Sequence, residues 1–406
     1  MLNRVIITKE QIQDKETELM AVYDDSRIIE IHAVPAGKKS LLGNIYIGRV
    51  QSIVENLEAA FIEIADKTVC FCPLKELKNP IFTKKTGKKP ICQGDELLVE
   101  VTKESHKTKP PMASANLNFS GQYLVLTSQN KKVGVSKKIG GEVRKELQQL
   151  LEPYVEEAFG IVVRTNAQYA KKEDILAEFS RLKEQYLSVK EQAVYRTAFS
   201  LIREAQSEEM QFVKGLYMEE TAKITTDIPE VYDRVYAYFQ EYRPQDLDKL
   251  CFYEDKLLSL PALYNIKREM GRALEKRVWL PSGGYLIIEP TEAMTVIDVN
   301  SGRNTRKMSK EELIFLTNKE AAKEIARQLI LRNISGICIV DFIDMGTEKQ
   351  QEELLHLFRM ELKKDKIPVA LVDITRLGLV ELTRKKVQKS LREQLRGDES
   401  YEQEID

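Results

Sequence analysis

Hydrophobic and polar positions along this 406-residue chain change rhythm several times, and each change predicts a new kind of element. The first 35 residues alternate with the period of strands: VIIT, then ELMAVYDDSRIIEIHAV around an Asp-Asp turn. Short alternating runs fill 43–101 (NIYIGRV, AAFIEIA, TVCFCPL, ELLVEVT), punctuated by Asp66-Lys67 and Gly94-Asp95. Brief, evenly spaced strands of that kind predict a small antiparallel barrel. Residues 122–127 and 160–165 read as further strands flanking a helical RKELQQLLEPYVEEA, and 171–208 as helix with alternating charge. Residues 209–274 mix short strands and helices, including the amphipathic YDRVYAYFQEY, and 278–376 alternate as an α/β unit. From Leu377 the pattern reads as a basic helix, then as acidic chain from Asp398. Neither an internal repeat nor a low-complexity linker interrupts these segments.

Within the α/β unit two apolar runs end in carboxylates, TVIDVNSG at 295–302 and ICIVDFIDM at 337–345. Ser309 and Glu312 between them have capping-box spacing, and Ala322, Ile325, Ala326, Leu329 and Ile330 follow the spacing of a buried helix face. Gly336 fits the exit into the second strand. Strand–helix–strand predicts two parallel neighbours, and adjacent strands lie only ~4.8 Å apart. Asp298 and Asp341 then share a sheet edge, with Asn300 on the same face as Asp298. Hard oxygen donors of this kind suit Mg²⁺ and phosphate chemistry. The bland alternative is a pair of strand-end acids capping nearby helices. Asp344, three residues past Asp341, is expected as a helix N-cap.

Composition narrows the class. Lys plus Arg total 62 and Asp plus Glu 63, so polyanion binding depends on local clusters rather than net charge. Such clusters occur at Lys84, Lys85, Lys88 and Lys89; at Lys131, Lys132, Lys137 and Lys138; and at Arg384, Lys385, Lys386, Lys389, Arg392 and Arg396. No apolar run approaches the ~20 residues of a membrane span, and MLNRVIITKEQ lacks a signal-peptide core. The five cysteines are odd in number and sit mostly in strand-like runs, which favours reduced thiols in a cytoplasm. Cys70-x-Cys72 has no second pair to complete a zinc site and reads as a buried strand.

TVIDVNSG, TNKEAAKEIARQLILRNISGICIVDFIDM and ITRLGLVELTRKK together resemble the catalytic region of the ribonuclease E/G family. NIYIGRV, LEAAFIEI and CFCPLKE resemble its S1 domain; GQYLVL, VGVSKKI and GIVVRTNA its 5′-sensor region; WLPSGGYLIIEPTEAMTVID the entry to its DNase I-like domain. The resemblance runs to about residue 395. It implies an α+β multidomain fold: an S1 (OB-fold) RNA-binding barrel inserted in an RNase H-like subdomain, a 5′-sensor region, and a DNase I-like α/β catalytic domain. The implied boundaries are 1–38 plus 210–274 for the RNase H-like scaffold, 39–119 for S1, 120–209 for the sensor, 275–395 for catalysis and 396–406 for an acidic tail.

The implied activity is Mg²⁺-dependent endonucleolytic hydrolysis of single-stranded RNA to 5′-phosphate and 3′-hydroxyl products, in rRNA processing and mRNA decay. Asp298 and Asp341 would bind Mg²⁺ and Asn300 would orient the site. Phe61 and Phe71 would stack on bases, although alternating aromatics on a barrel strand are also ordinary core. Lys109 would meet the RNA backbone, its plain alternative being a solvated lysine. Arg164 and Thr165 would hold a 5′-monophosphate, the alternative being a strand-end surface arginine. Arg376 and Arg384 are weaker candidates for the scissile phosphate. The implied partners are rRNA precursors and mRNA; a homodimer is allowed and no membrane is expected. Long family members carry a Cys-Pro-x-Cys zinc link, but no cysteine follows Cys338 here, so no zinc is expected. Two other readings compete: a non-catalytic RNA- or ribosome-binding protein on the same fold, and a phosphodiesterase acting on DNA.

Overall fold

A computed structural model describes residues 3–12, 14–24, 27–35, 40–65, 67–105, 109–156, 158–302 and 309–396. Asp25, Asp66 and the acidic tail from Asp398, all singled out above, lie outside the described residues. The chain divides into two compact units, Met1–Lys38 with Glu220–Asp406, and Lys39–Glu219.

In the first unit, a five-stranded sheet has the order Leu250–Phe252, Thr221–Thr226, Asn3–Ile12, Lys15–Asp24, Arg27–Pro35. Asn3–Ile12 pairs antiparallel with Lys15–Asp24 but parallel with Thr221–Thr226, so the N-terminal strands complete a sheet begun much later in the sequence. The amphipathic tyrosine-rich segment is part of helix Pro229–Tyr242, which buries Val231, Val235 and Phe239 at four-residue spacing.

A six-stranded sheet in the same unit has the order Arg277–Trp279, Tyr285–Pro290, Met294–Asn300, Gly336–Asp341, Val380–Arg384, Val369–Ile374. Helix Lys310–Leu331 crosses between the two parallel central strands. Its start is the expected capping box, with Ser309 and Glu312 each bonding the other's backbone N–H. Ala322, Ile325, Ala326 and Leu329 are buried as the spacing predicts; Ile330 is only half-buried and Leu331 takes the next interior place. With Leu354, Leu355 and Phe358 of helix Glu348–Leu362, they cover Ile297, Val299, Cys338 and Val340. Each large apolar side chain buried there contributes about 1.5–3 kcal/mol. The alternate strand residues, Asp298, Asn300 and Asp341 among them, therefore lie on the other, open face.

In the second unit, five strands close a barrel: Ile45–Val54, Ala59–Ala65, Thr68–Pro73, Met112–Ser114 and Glu96–Lys103, the last pairing back to the first. Cys70 and Cys72 point into it, and burial pushes both thiols up to about 12, which disfavours the thiolate a metal needs. A four-stranded sheet (Asn118–Ser120, Leu124–Thr127, Gly160–Val163, Val133–Val135) packs under helix Lys172–Val194 through Phe119, Phe159, Phe179 and Tyr186.

Three expected helices are cut short. The one read over 171–208 stops at Val194, and Leu201–Arg203 becomes a strand against Ile45–Val54. Three residues are too few to show a period, and their pairing partner is far upstream. RKELQQLLEPYVEEA leaves the α-helix at Leu151, two residues before Pro153, which cannot donate the next backbone bond. The stretch read as a basic helix from Leu377 contains the strand Val380–Arg384, and among its described residues helix is found only at Leu391–Arg396.

Glu100, on the barrel strand Glu96–Lys103, accepts hydrogen bonds from the Asn118 backbone and side chain. Burial raises its pKa to about 7, against the opposing pull of Asn118 and Arg203. A folded-state value above the unfolded one stabilises fully at low pH, and that contribution is lost as pH rises from about 4.5 through 7. Glu100→Gln should therefore gain thermal stability relative to the wild type at pH 8 and not at pH 5. Parallel melting curves at the two pH values would refute the assignment.

Candidate active site

Asp298 and Asp341 are directly opposed in the register of the parallel pair, so both carboxylates project from the open face of the sheet. The Asn300 side-chain amide donates to Asp298 Oδ2 at 2.7 Å, which fixes that carboxylate's orientation. The Asp341 carboxyl is pushed up from the ordinary aspartate range, first by burial and then by the charges of Asp298 and Asp344. The negative charge gathered around Asp341 on this accessible edge is of the kind a hard cation would relieve. Among the described residues no three His, Cys, Asp or Glu side chains form a closed metal cluster. Two carboxylates and a carboxamide fit Mg²⁺, which retains several waters and is ordinarily held by only one or two carboxylates.

Hydrogen bonds and a close backbone approach brace the surroundings. After Asn300 the chain turns through Gly302, where a Cβ would lie 2.2 Å from the Gly283 carbonyl oxygen. The facing turn is tied to the crossover helix by Ser282 N–H donating to Glu320 at 2.8 Å. Beyond Asp341, the fully buried Asn318 donates to the Ile343 carbonyl at 2.8 Å and accepts from its N–H at 3.1 Å. Sequence reasoning missed Asn318, because one polar residue on an apolar helix face carries no sign of its partner. Asp344 does not cap the next helix as expected: Thr347 does, accepting from Gln350 N–H. Asp344 stays exposed, close enough to Asp341 to act on its charge.

Arg384 is a second correction. It is 3% exposed and bonds Asp365 at 2.6 Å, Asn333 Oδ1 at 2.7 Å and the Ile334 carbonyl at 3.1 Å. It is an internal tie and not a surface group for phosphate. Arg376 remains exposed in the turn before Val380–Arg384. The basic cluster expected on the last helix is dispersed, since Lys386 pairs with Glu393 and Arg392 bonds the Leu274 carbonyl.

In the second unit, Phe61 and Phe71 are cross-strand partners with ring centroids 5.8 Å apart, edge to face. Both are half-buried while their strand neighbours Ile62, Cys70 and Cys72 fill the barrel, so the rings lie on its outer face. Met112 pairs beside Phe71 and widens this surface. Lys109 is exposed three residues before Met112, and Pro111 between them accepts the Phe71 N–H at 2.8 Å. Of the loop lysines, Lys85 is turned inward to the buried Asp95 at 2.5 Å, leaving Lys84, Lys88 and Lys89 exposed.

Arg164 and Thr165 follow the strand Gly160–Val163 in the same unit. Arg164 Nη1 donates to the Gly121 carbonyl and its backbone N–H to the Tyr123 carbonyl at 2.7 Å. Thr165 shares a 2.9 Å hydroxyl–hydroxyl bond with Ser136. The turn that holds Arg164 is itself held by the buried Glu178, which accepts the N–H groups of Gln122, Tyr123 and Leu124 at 2.7–2.9 Å. Neither Ser136 nor Glu178 was legible in the sequence, because both meet this site only through pairing of distant segments.

The model of the Ribonuclease E/G family matches residues 118–387. A protein named Ribonuclease E from Synechocystis sp. is 34% identical over 394 residues, covering 95% of this chain and 58% of its own length. One of the same name from Nostoc sp. is 34% identical over 387 residues, 93% of this chain and 56% of its length. A Ribonuclease G from Salmonella typhimurium is 32% identical over 388 residues, 92% of this chain and 79% of its length. The chain thus spans little more than half the length of these two Ribonuclease E relatives.

Proposed function

Because this chain belongs to the ribonuclease E/G family, we propose that it is a Mg²⁺-dependent endoribonuclease of cytoplasmic rRNA processing and mRNA decay. It cuts single-stranded RNA internally and leaves 5′-phosphate and 3′-hydroxyl ends. The observation that carries this reading is the in-register pair Asp298 and Asp341 with Asn300 bonded to Asp298. The two carboxylates would hold the cation, and Asn300, bonded to Asp298, would keep that carboxylate aimed at it. Bound Mg²⁺ would supply charge neutralisation at the scissile phosphate and a water acidic enough to attack. Arg164 and Thr165 bind a 5′-monophosphate, the guanidinium by its planar donor fork and the hydroxyl by a single bond. Lys109 neutralises backbone phosphate. In this reading 1–38 with 210–274 is an RNase H-like scaffold, 39–119 an S1 domain, 120–209 a 5′-sensor and 275–395 a DNase I-like catalytic domain.

The test is incubation of the protein with a 5′-monophosphorylated single-stranded RNA, with and without Mg²⁺. Internal cuts with phosphate on the new 5′ ends, only when Mg²⁺ is present, are expected. Tight binding without cutting would move the protein to the non-catalytic reading.

Phe61 and Phe71 stack on bases from the outer face of the barrel, where any base offers a π-face. Phe61→Ala and Phe71→Ala should each weaken RNA binding by about 1–3 kcal/mol. Because both rings lie outside the core, the melting temperature should stay near that of the wild type. A core phenylalanine would instead lose ~3–5 kcal/mol of stability, so a collapsed melt with unchanged affinity of the folded fraction would retract the stacking role.

A further inference from the structure

The only tryptophan of the chain, Trp279, is 64% exposed, an unusual place for its largest apolar side chain. Strand register places it relative to the carboxylates. Trp279 is opposite Tyr285, and Tyr285 is opposite Asn300. One row along, Arg277 is opposite Ile287, Ile287 opposite Asp298, and Asp298 opposite Asp341. Directly opposed residues share a face, so the indole, the phenol and the guanidinium stand on the same open face as the acids. Adjacent strands are ~4.8 Å apart, which puts Trp279 two strands, about 10 Å, from Asn300.

The three side chains form one assembly. The Trp279 and Tyr285 rings meet edge to face with centroids 5.4 Å apart. The Arg277 guanidinium lies 4.6 Å from the Tyr285 centroid and 5.6 Å from that of Trp279. It holds both rings by cation–π attraction while bringing positive charge to the spot. Aromatic surface combined with an arginine matches the two parts of a nucleotide, a flat base and a phosphate. A purely apolar partner would leave the guanidinium without a match.

We propose that Trp279, Tyr285 and Arg277 form a stacking subsite for a base of the single-stranded RNA next to the scissile phosphate, with Trp279 as the main platform. This rests on the endoribonuclease reading of the neighbouring acids and adds to it a binding group on the catalytic sheet itself. The subsite accepts any base, since stacking requires only a π-face, and it positions the strand across the carboxylates.

As the only tryptophan, Trp279 reports its own contact. Titrating the full chain with a single-stranded RNA oligonucleotide in EDTA should quench and shift the tryptophan emission saturably. Trp279→Ala should lower kcat/KM for that RNA by about 5- to 150-fold, with an unchanged melting temperature, and Trp279→Phe should recover most of the loss. Abasic substitutions scanned around the cut site should reproduce that loss at one position, where Trp279→Ala should add nothing further. Unchanged emission at RNA saturation, or wild-type cleavage by Trp279→Ala, overturns the subsite while leaving the endoribonuclease reading intact. Equal losses on every abasic substrate also overturn it, as does emission that varies with protein concentration alone, which would mark a self-association surface. Should the wild type bind RNA without cutting it, the endoribonuclease reading falls instead, and the fluorescence titration still decides whether Trp279 stacks.

Discussion

Asp298→Asn and Asp341→Asn should each lower RNA cleavage by on the order of 10²–10³-fold or more, with RNA affinity close to that of the wild type. Each substitution preserves shape and removes one negative charge from the site proposed to hold Mg²⁺, leaving one carboxylate and a carboxamide there. The contacts proposed to hold RNA come from Phe61, Phe71, Lys109, Arg164 and Thr165, so binding should survive. Without Mg²⁺ the paired acids face one another with like charge, which adds to burial in pushing the Asp341 carboxyl up. Removing one charge should therefore leave the metal-free melting temperature equal or higher. Mg²⁺ should raise the wild-type melting temperature, because a ligand bound only by the native state stabilises it by mass action, and should raise the variants' much less. Near-wild-type cleavage by both variants at low millimolar Mg²⁺ would remove the metal assignment. A Mg²⁺ shift of equal size in wild type and variants would place the ion elsewhere.

Arg384→Ala should cost about 3–5 kcal/mol of stability, the usual penalty for stranding one partner of a buried ion pair. Arg384 and Asp365 are 3% and 4% exposed, and no solvent is at hand to replace the guanidinium. The same side chain also satisfies Asn333 and the Ile334 carbonyl, which shape the loop leading from the crossover helix into the strand that carries Asp341. Loss should therefore appear in urea or thermal unfolding, with cleavage by the folded fraction reduced only as far as that strand shifts. A phosphate-contacting arginine would behave oppositely, with a native melting temperature and a large fall in cleavage. That outcome would return Arg384 to the reacting face.

Short-range signals carried much of the fold. The capping box of Ser309 and Glu312, the apolar stripe of the crossover helix and the alternation of the barrel strands act within a few residues, so the sequence displays them directly. The opposition of Asp298 and Asp341 was legible for the same reason: strand–helix–strand connection leads to parallel neighbours, and each acid closes its run. Alternation sorts a strand into two faces, but which face becomes core depends on what packs against it. Only the closed barrel puts Phe61 and Phe71 outside and Cys70 and Cys72 inside. Only the sheet order brings Trp279 and Tyr285 into line with Asn300. Arg384 read as one more charge in a basic tail because its partner, Asp365, lies across a hairpin. Glu178 and Asn318 likewise looked like ordinary polar helix residues, although each binds the backbone of a remote turn. Local periodicity and capping chemistry thus determined most of the elements and the central pair of acids, but not where several helices stop. Which side chains those elements bury, pair or expose was decided by long-range register and packing, whose partners lie tens to hundreds of residues apart and leave no local trace.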